Sequence, residues 1–415
     1  MTTSIAEQDV SSFPLADPEY YQTRGYPHEQ WQRLREQSPI ARIESFSVPF
    51  WAITRHADIT TVGKRPDLFL NGPRLMLVDE GGDDFERPPT VIDMDPPEHG
   101  KFRRPIAGRF TPRAVKALHD DVDRIALELV DKLTAGDRDG EVEFVEALSA
   151  PLPITVIGSL LGVPESDWHL LYEWTNRMVG ANDPDFHADG VDGELDGQTA
   201  VIELFGYFSE LLKEKKKHPD DGLLTLLSQM KVDGRLLEEL EALAYCLALV
   251  VAGNETTRNA TSGGMLALIE HPEQLRRLQA DPSLLESGVE EILRWSSPLI
   301  HFARTAAVDT ELAGVHIEKG DTLALFYPSA NRDDAVFENP FEFDVSRSPN
   351  SHLAFGVGEH FCLGAHLARL ELVAAFKHLL PRIEEVELGG PVERLRSNLV
   401  GGVKRLPVRY RLRPA

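Results

Sequence analysis

The chain has 415 residues, with 43 lysines and arginines against 67 aspartates and glutamates, for a formal charge of −24. So negative a field repels phosphate backbones and anionic lipid, which excludes nucleic acid as a partner. Two cysteines, Cys246 and Cys362, exclude a disulfide framework and point to a reducing cytosol. The N-terminus, MTTSIAEQDVSSFPLADPEYY, carries no signal-peptide pattern and no membrane anchor. The longest apolar stretch, Ala242 to Gly253, is far short of the roughly 20 residues a bilayer needs, so a soluble, cytoplasmic protein is expected. No linker or repeat marks a boundary, so residues 1–415 are expected to form one domain.

In chain order, a β-like segment spans Ile40 to Thr54, and helical periodicity dominates from Pro112 onwards. The run 111–136 is expected to be one helix stopped at Gly136. Further helices are expected over Leu152–Leu161, Ser166–Val179, Thr199–Lys217 and Pro219–Met230. Leu236–Glu270 then runs without a proline, about three times the usual helix length. At about 1.5 Å per residue it reaches roughly 50 Å and must pass through the middle of the molecule. Gly263 and Gly264 in its later part predict close packing. Short β segments follow at Thr310–Ile317, at Thr322–Tyr327 and at the C-terminus. The expected fold is mainly α with minor β.

The long helix is interrupted by AGNETT, Ala252 to Thr257. Most of these residues lower helix propensity or resist desolvation, so local stability does not account for them. A glycine lets a bulky group lie against the helix, and a threonine bonded to its i−4 carbonyl can open the turn. Glu255 and Thr256 together read as a proton relay to something held at the helix surface.

The stretch AFGVGEHFCLGAHLAR places Cys362 between glycines and the start of a helix. Cys246, inside AYCLAL, reads as a small buried hydrophobe. A thiolate at the helix N-terminus, favoured by its dipole, is a metal ligand by construction. Zinc is one candidate, with His352, His360 and His366 nearby, but H-x7-H-x-C-x3-H is not a usual zinc spacing. Haem accounts for the thiolate, the glycines and the long helix together.

On these residues the sequence resembles the cytochrome P450 superfamily of haem-thiolate monooxygenases. FGVGEHFCLG matches the haem signature FGxGxHxCxG at every fixed position, AGNETT matches the oxygen-activation motif, and EEILR carries the ExxR pair Glu291 and Arg294. ANRDDAVFENPFEFDVSR resembles the meander region, with Arg347 as third member of a buried structural triad. VAGNETTRN and the C-terminal ERLRSNLVGGVKRLPVRY look most like the bacterial subgroup that hydroxylates sterol side chains, terpenoids or related branched aliphatics.

The resemblance implies the P450 fold, a long central helix over haem with a small β subdomain, and haem b as cofactor, with Cys362 as axial ligand. DPPEHGKFR, FARTA and the cysteine loop then supply His99, Arg103, Arg304 and His360 to the propionates, while Ala252, Phe355, Gly356 and Gly364 lie against the macrocycle. Leu77, Val78, Met178, Val179, Ile300, His301 and Leu399 fall in pocket-walling segments, and His301, if it points inward, would hold a polar group on the substrate. O2 is the second substrate. The chain has no flavin or nucleotide-binding region of its own, so an iron–sulfur ferredoxin and a ferredoxin reductase are implied. Lys101 to Lys116, with six basic residues and no acid, is the docking candidate; its alternative is neutralisation by the nearby DDVD cluster, Asp120 to Asp123. The remaining alternatives are a fatty-acid hydroxylase, a haem-thiolate peroxygenase, and a haem-binding sensor or carrier without catalysis.

Overall fold

A computed structural model describes residues 9–72, 74–77 and 90–414. The helices that position the site are α1 (Glu98–Ala107), α2 (His119–Leu133), α3 (Pro151–Leu161), α4 (Trp168–Val179), α5 (Gly193–Lys217), α6 (Glu239–Glu270), α7 (Leu285–Ser296) and α8 (Ala365–Leu379). Helix α6 is the expected central element, 32 residues long. A capping box between Glu238 and Glu241 starts it. Most of its side chains are buried, packed by α3, α4, α5, α7 and α8.

The two glycines act as the sequence predicts. A Cβ on Gly264 would stand 2.7 Å from the Ile292 side chain, and one on Gly263 would stand 2.9 Å from Ser296. Both positions let α7 approach α6 more closely than any side chain allows.

The main sheet has strands β1 (Ile40–Ile43), β2 (Phe50–Ile53), β3 (Phe69–Leu70), β4 (His301–Ala306) and β5 (Thr322–Phe326), in the order β1-β2-β5-β4-β3. Its two faces carry separate cores. Phe50, Ala324 and Phe326 pack with Trp31 and Tyr21, whereas Ile53, Leu323 and Leu325 pack with Ile59 and Leu353. That division is the alternation of successive strand residues made visible.

The run 111–136 is two helices, not one: Pro112–Ala117 and α2 are separated at Leu118. Sequence periodicity also misses α1, which contains Pro105, and strand β4, whose residues are nearly all buried and so show no alternation. Among the described residues, no helix is long and apolar enough to cross a membrane.

Candidate active site

The cysteine loop is shaped by its own turns. The Gly356 N–H bonds the Leu353 carbonyl, and the Cys362 N–H bonds the Phe355 carbonyl, both at 2.9 Å. Gly358 has φ +83°, and a Cβ there would lie 1.9 Å from the Gly63 carbonyl oxygen, so only glycine fits. On Gly356 and Gly364 a Cβ would meet no atom within 4 Å, so the loop offers bare backbone there.

Burial pushes the Cys362 thiol up, while the Gly364 N–H, Arg103 and Arg369 pull it down. The Gly364 N–H at the start of α8 is thus one of the contacts that favour the thiolate, against the burial of the sulfur. Cys246 is fully buried with its thiol pushed up, as expected of an inert core residue.

Around the loop, Arg103 on α1 donates to the Phe361 carbonyl. His99, one turn earlier, is buried and stacks on His360 with ring centroids 4.0 Å apart. Burial lowers both imidazoles, His99 to about 4 with help from Arg103, and His360 to about 3 with help from His99, Arg304 and Arg103. Both shifts favour the neutral ring in the absence of a bound anion. Each ring also has a buried Nε2 without a partner among the described residues.

Arg304 on β4 is 4% exposed and donates to the Ala303 carbonyl at 2.7 Å. Burial pulls its pKa down, against Tyr327 and Asp95. A buried guanidinium beside two imidazoles with unpartnered, buried Nε2 atoms forms a polar set suited to buried carboxylates, which would draw a proton onto the rings. Together with the bare backbone above Cys362, these residues fit a haem and its two propionates.

Zinc finds no such fit. Among the described residues no three His, Cys, Asp or Glu side chains are grouped to hold a metal ion. His352 is taken by Glu290 at 3.0 Å, and His366 is exposed.

At mid-length α6 changes character. Ala252 is exposed and Val251, Gly253 and Thr256 are half-buried, while Asn254, Glu255 and the run from Thr257 to Ser262 are buried. Gly253 does make room for a bulky group, but that group is Ile157 of α3, 3.3 Å from where a Cβ would be. The Thr256 hydroxyl donates to the Ala252 carbonyl at 2.9 Å, yet the helix stays α-helical throughout, so the expected opening of the turn does not occur.

Glu255 and Thr256 do not meet directly. Consecutive helical residues point about 100° apart. Glu255, 1% exposed, is instead paired with Arg258 at 2.6 Å. Burial raises the Glu255 pKa against the opposing pull of Arg258. The Arg258 guanidinium also donates to Asn176 of α4 at 2.8 Å, and Asn254 donates to Thr175 at 2.7 Å. The residues on both sides of Glu255 are thus tied to α4.

Glu291 and Arg294 form a bidentate pair on α7, both bonds 2.7 Å, with Arg347 adding contacts of 3.1 and 3.2 Å. The sequence reading missed a further buried cation, Arg332, which lies 4.2 Å over the Trp295 ring and donates to the Arg294 and Trp295 carbonyls.

The tentative pocket residues divide. Met178, Val179 and Leu399 are half-buried, and Val78 lies outside the described residues. Leu77 and Ile300 are buried in the core around Trp31 and Phe326. His301 is corrected as well. Its Nε2 accepts the Leu77 N–H at 3.1 Å and its Nδ1 faces the Asn398 carbonyl at 2.9 Å, so no polar atom is left for a substrate. Burial lowers it to about 4, and it serves as a neutral tie between two backbone segments.

The family model described as Cytochrome P450 matches residues 198–387. Cytochrome P450-terp of a Pseudomonas species is 37% identical over 401 residues, covering 93% of both chains. Steroid C26-monooxygenase of Rhodococcus jostii is 35% identical over 424 residues, covering 99% of this chain and 87% of its own. The crystal structure of CYP108D1 from Novosphingobium aromaticivorans superposes with a TM-score of 0.88 at 33% identity, covering 97% of this chain and 98% of that one.

Proposed function

The chain belongs to the cytochrome P450 family and is a haem b monooxygenase, and on that premise we propose that it hydroxylates an aliphatic C–H bond in a sterol side chain, a terpenoid or a related branched aliphatic, with electrons from a ferredoxin and its reductase. Residues 1–415 act as one haem domain in this reading. The observation that carries it is the convergence of His99, His360 and Arg304, a buried donor set with unused nitrogens, on the loop that presents Cys362.

In this assignment Cys362 would hold the iron, His99, Arg103, Arg304 and His360 would hold the propionates, and Ala252, Phe355, Gly356 and Gly364 would line the macrocycle's site. When bound, the haem would supply the cleavage of O2, with one atom going to the substrate and the other to water. The Thr256 hydroxyl spends its own proton on the Ala252 carbonyl, so its oxygen is free to accept from a water. The Glu255 carboxyl, its pKa raised by burial, is the relay's proton reservoir on the neighbouring face of α6, in no direct contact with Thr256. Proton delivery of this kind serves O2 reduction and favours a monooxygenase over a peroxygenase or a carrier. Met178, Val179 and Leu399 contribute apolar surface to the substrate. Glu291, Arg294 and Arg347 are scaffold.

The basic run supports an acidic electron donor. Lys101 is engaged by Glu98 and Asp233, but among the described residues Arg104, Arg109, Arg113 and Lys116 make no ion pair, and all four are exposed. The DDVD cluster does not neutralise them. Asp120 pairs with His119, Asp121 with Arg124, and Asp123 with Lys377 and His378. Electron transfer from a ferredoxin should therefore slow as salt rises.

The deciding experiment is a spectral binding screen over sterols, terpenes and fatty acids, followed by product analysis with a ferredoxin system. The reduced carbon monoxide complex should show the red-shifted Soret band of thiolate ligation, and Cys362→Ala should abolish it. A protein that takes up no haem would overturn the assignment, and turnover of straight-chain fatty acids alone would move the substrate class.

A further inference from the structure

Behind the cysteine loop lies an ion pair that the assignment above leaves unused. Arg369 sits two helical turns beyond Cys362 on α8. Its guanidinium carbon stands 4.5 Å from the centroid of the Phe355 ring, and its Nε and Nη2 donate to Glu290 of α7 at 2.5 and 2.8 Å. Glu290 also accepts from the His352 ring at 3.0 Å, and the other nitrogen of that ring accepts the Ala354 N–H at 3.2 Å. His352 thus ties Glu290 to the backbone of the cysteine loop. The chain of contacts ends at Phe355, whose carbonyl accepts the Cys362 N–H.

Two further observations give this network an electrostatic role. Arg369 stacks on Phe355, the residue whose carbonyl holds the Cys362 N–H, so its positive charge is one residue's width from the cysteine turn. Glu290 is held down at about 2 by Arg369 and His352, so it keeps its charge at every working pH. A fixed cation and a fixed anion therefore stand one behind the other on the proximal side, with the cation against the aromatic ring that roofs the cysteine turn. Both side chains are about 30% exposed, so solvent softens the field without removing it.

We propose that Arg369 and Glu290 are a positioning pair that sets the one-electron reduction potential of the bound haem, Arg369 raising it and Glu290 restraining it. The inference rests on Cys362 being the axial ligand. A positive charge near the thiolate favours the state that carries the extra electron, and a negative charge opposes it. Contacts that only held the loop in shape would have no sign.

The test is a spectroelectrochemical titration of the haem-loaded protein and four variants. Arg369→Gln should lower the potential and Glu290→Gln should raise it, each by a threefold to tenfold change in the reduction equilibrium, tenfold being about 59 mV for one electron. The double variant should return close to the parent, and Arg369→Lys should stay near it. Shifts of the same direction in both single variants, or none in either, overturn the proposal and leave the pair a structural tie. The reduced carbon monoxide spectrum separates the two levels. Absence of the thiolate band in the unaltered protein would sink the ligand assignment itself, while a normal band with unmoved potentials would sink only the tuning.

Discussion

Two helical Glu–Arg pairs in this molecule look alike in the sequence and differ in every respect that matters. Glu291 and Arg294, like Glu255 and Arg258, are spaced i, i+3 and are almost wholly buried. The first pair is saturated. Glu291 accepts from Arg294, Arg347, Asn350 and the Asp344 N–H, and Arg294 donates to the carbonyls of Asn331, Pro340 and Glu342. The second pair is close but badly aligned, so that both Glu255 oxygens and the Arg258 Nε lack a well-formed hydrogen bond among the described residues. A buried charge left half-satisfied costs stability, and such a group is free to change its proton or partner. Saturation fits a scaffold role, and incomplete pairing fits the relay role proposed for Glu255.

The largest break in that comparison is Glu291→Ala. It strands two arginines, and equilibrium unfolding should show a loss of about 3–5 kcal/mol, with poor haem retention. Replacing the other pair whole, Glu255→Leu with Arg258→Met, should be neutral or stabilising by up to about 4 kcal/mol. In that double variant the yield of product per electron should fall severalfold; unchanged coupling would remove Glu255 from the relay. Thr256→Ala should uncouple in the same assay while leaving stability nearly unchanged.

His301 extends the saturated class to a titratable group with no counterion. Its folded pKa of about 4 lies below the ordinary histidine value of about 6.5, so the unfolded chain takes up the proton first and stability falls as pH drops from 6.5 toward 4. Between pH 7 and pH 5 that loss is about 2 kcal/mol. In His301→Gln the fall over this interval should be correspondingly smaller, measured by urea unfolding at the two pH values. The smallest expected effect is that of Asn176→Ala, which removes the Arg258 tie to α4 at a cost of about 1 kcal/mol. If coupling survives in that variant, the tie is a packing contact rather than a support of the working pair.

Much of this was legible before the fold. Glycines 356, 358 and 364, Cys362 and the polar break in α6 are signals along one stretch of chain, and so is the Glu291–Arg294 pair, whereas the Glu255–Arg258 pair went unread. What escaped was non-local. Strand β4 is buried on both faces and shows no period, α1 is disguised by Pro105, and Arg332 earns no motif because its partners are a distant ring and two carbonyls. The direction of His301 was equally hidden, because which way a strand residue points is fixed by its sheet neighbours.

The sequence by itself determined the thiolate loop, the central helix and the acid–threonine motif, because each depends on residue type and on spacing within one element. Only the tertiary structure decided which Glu–Arg pair is saturated, which nitrogens of His99 and His360 are unused, and that Ile300 and Leu77 pack around Trp31 and Phe326. Those outcomes depend on burial and on partners contributed by other segments, and desolvation is a property of the packed whole rather than of any residue's neighbours in the chain.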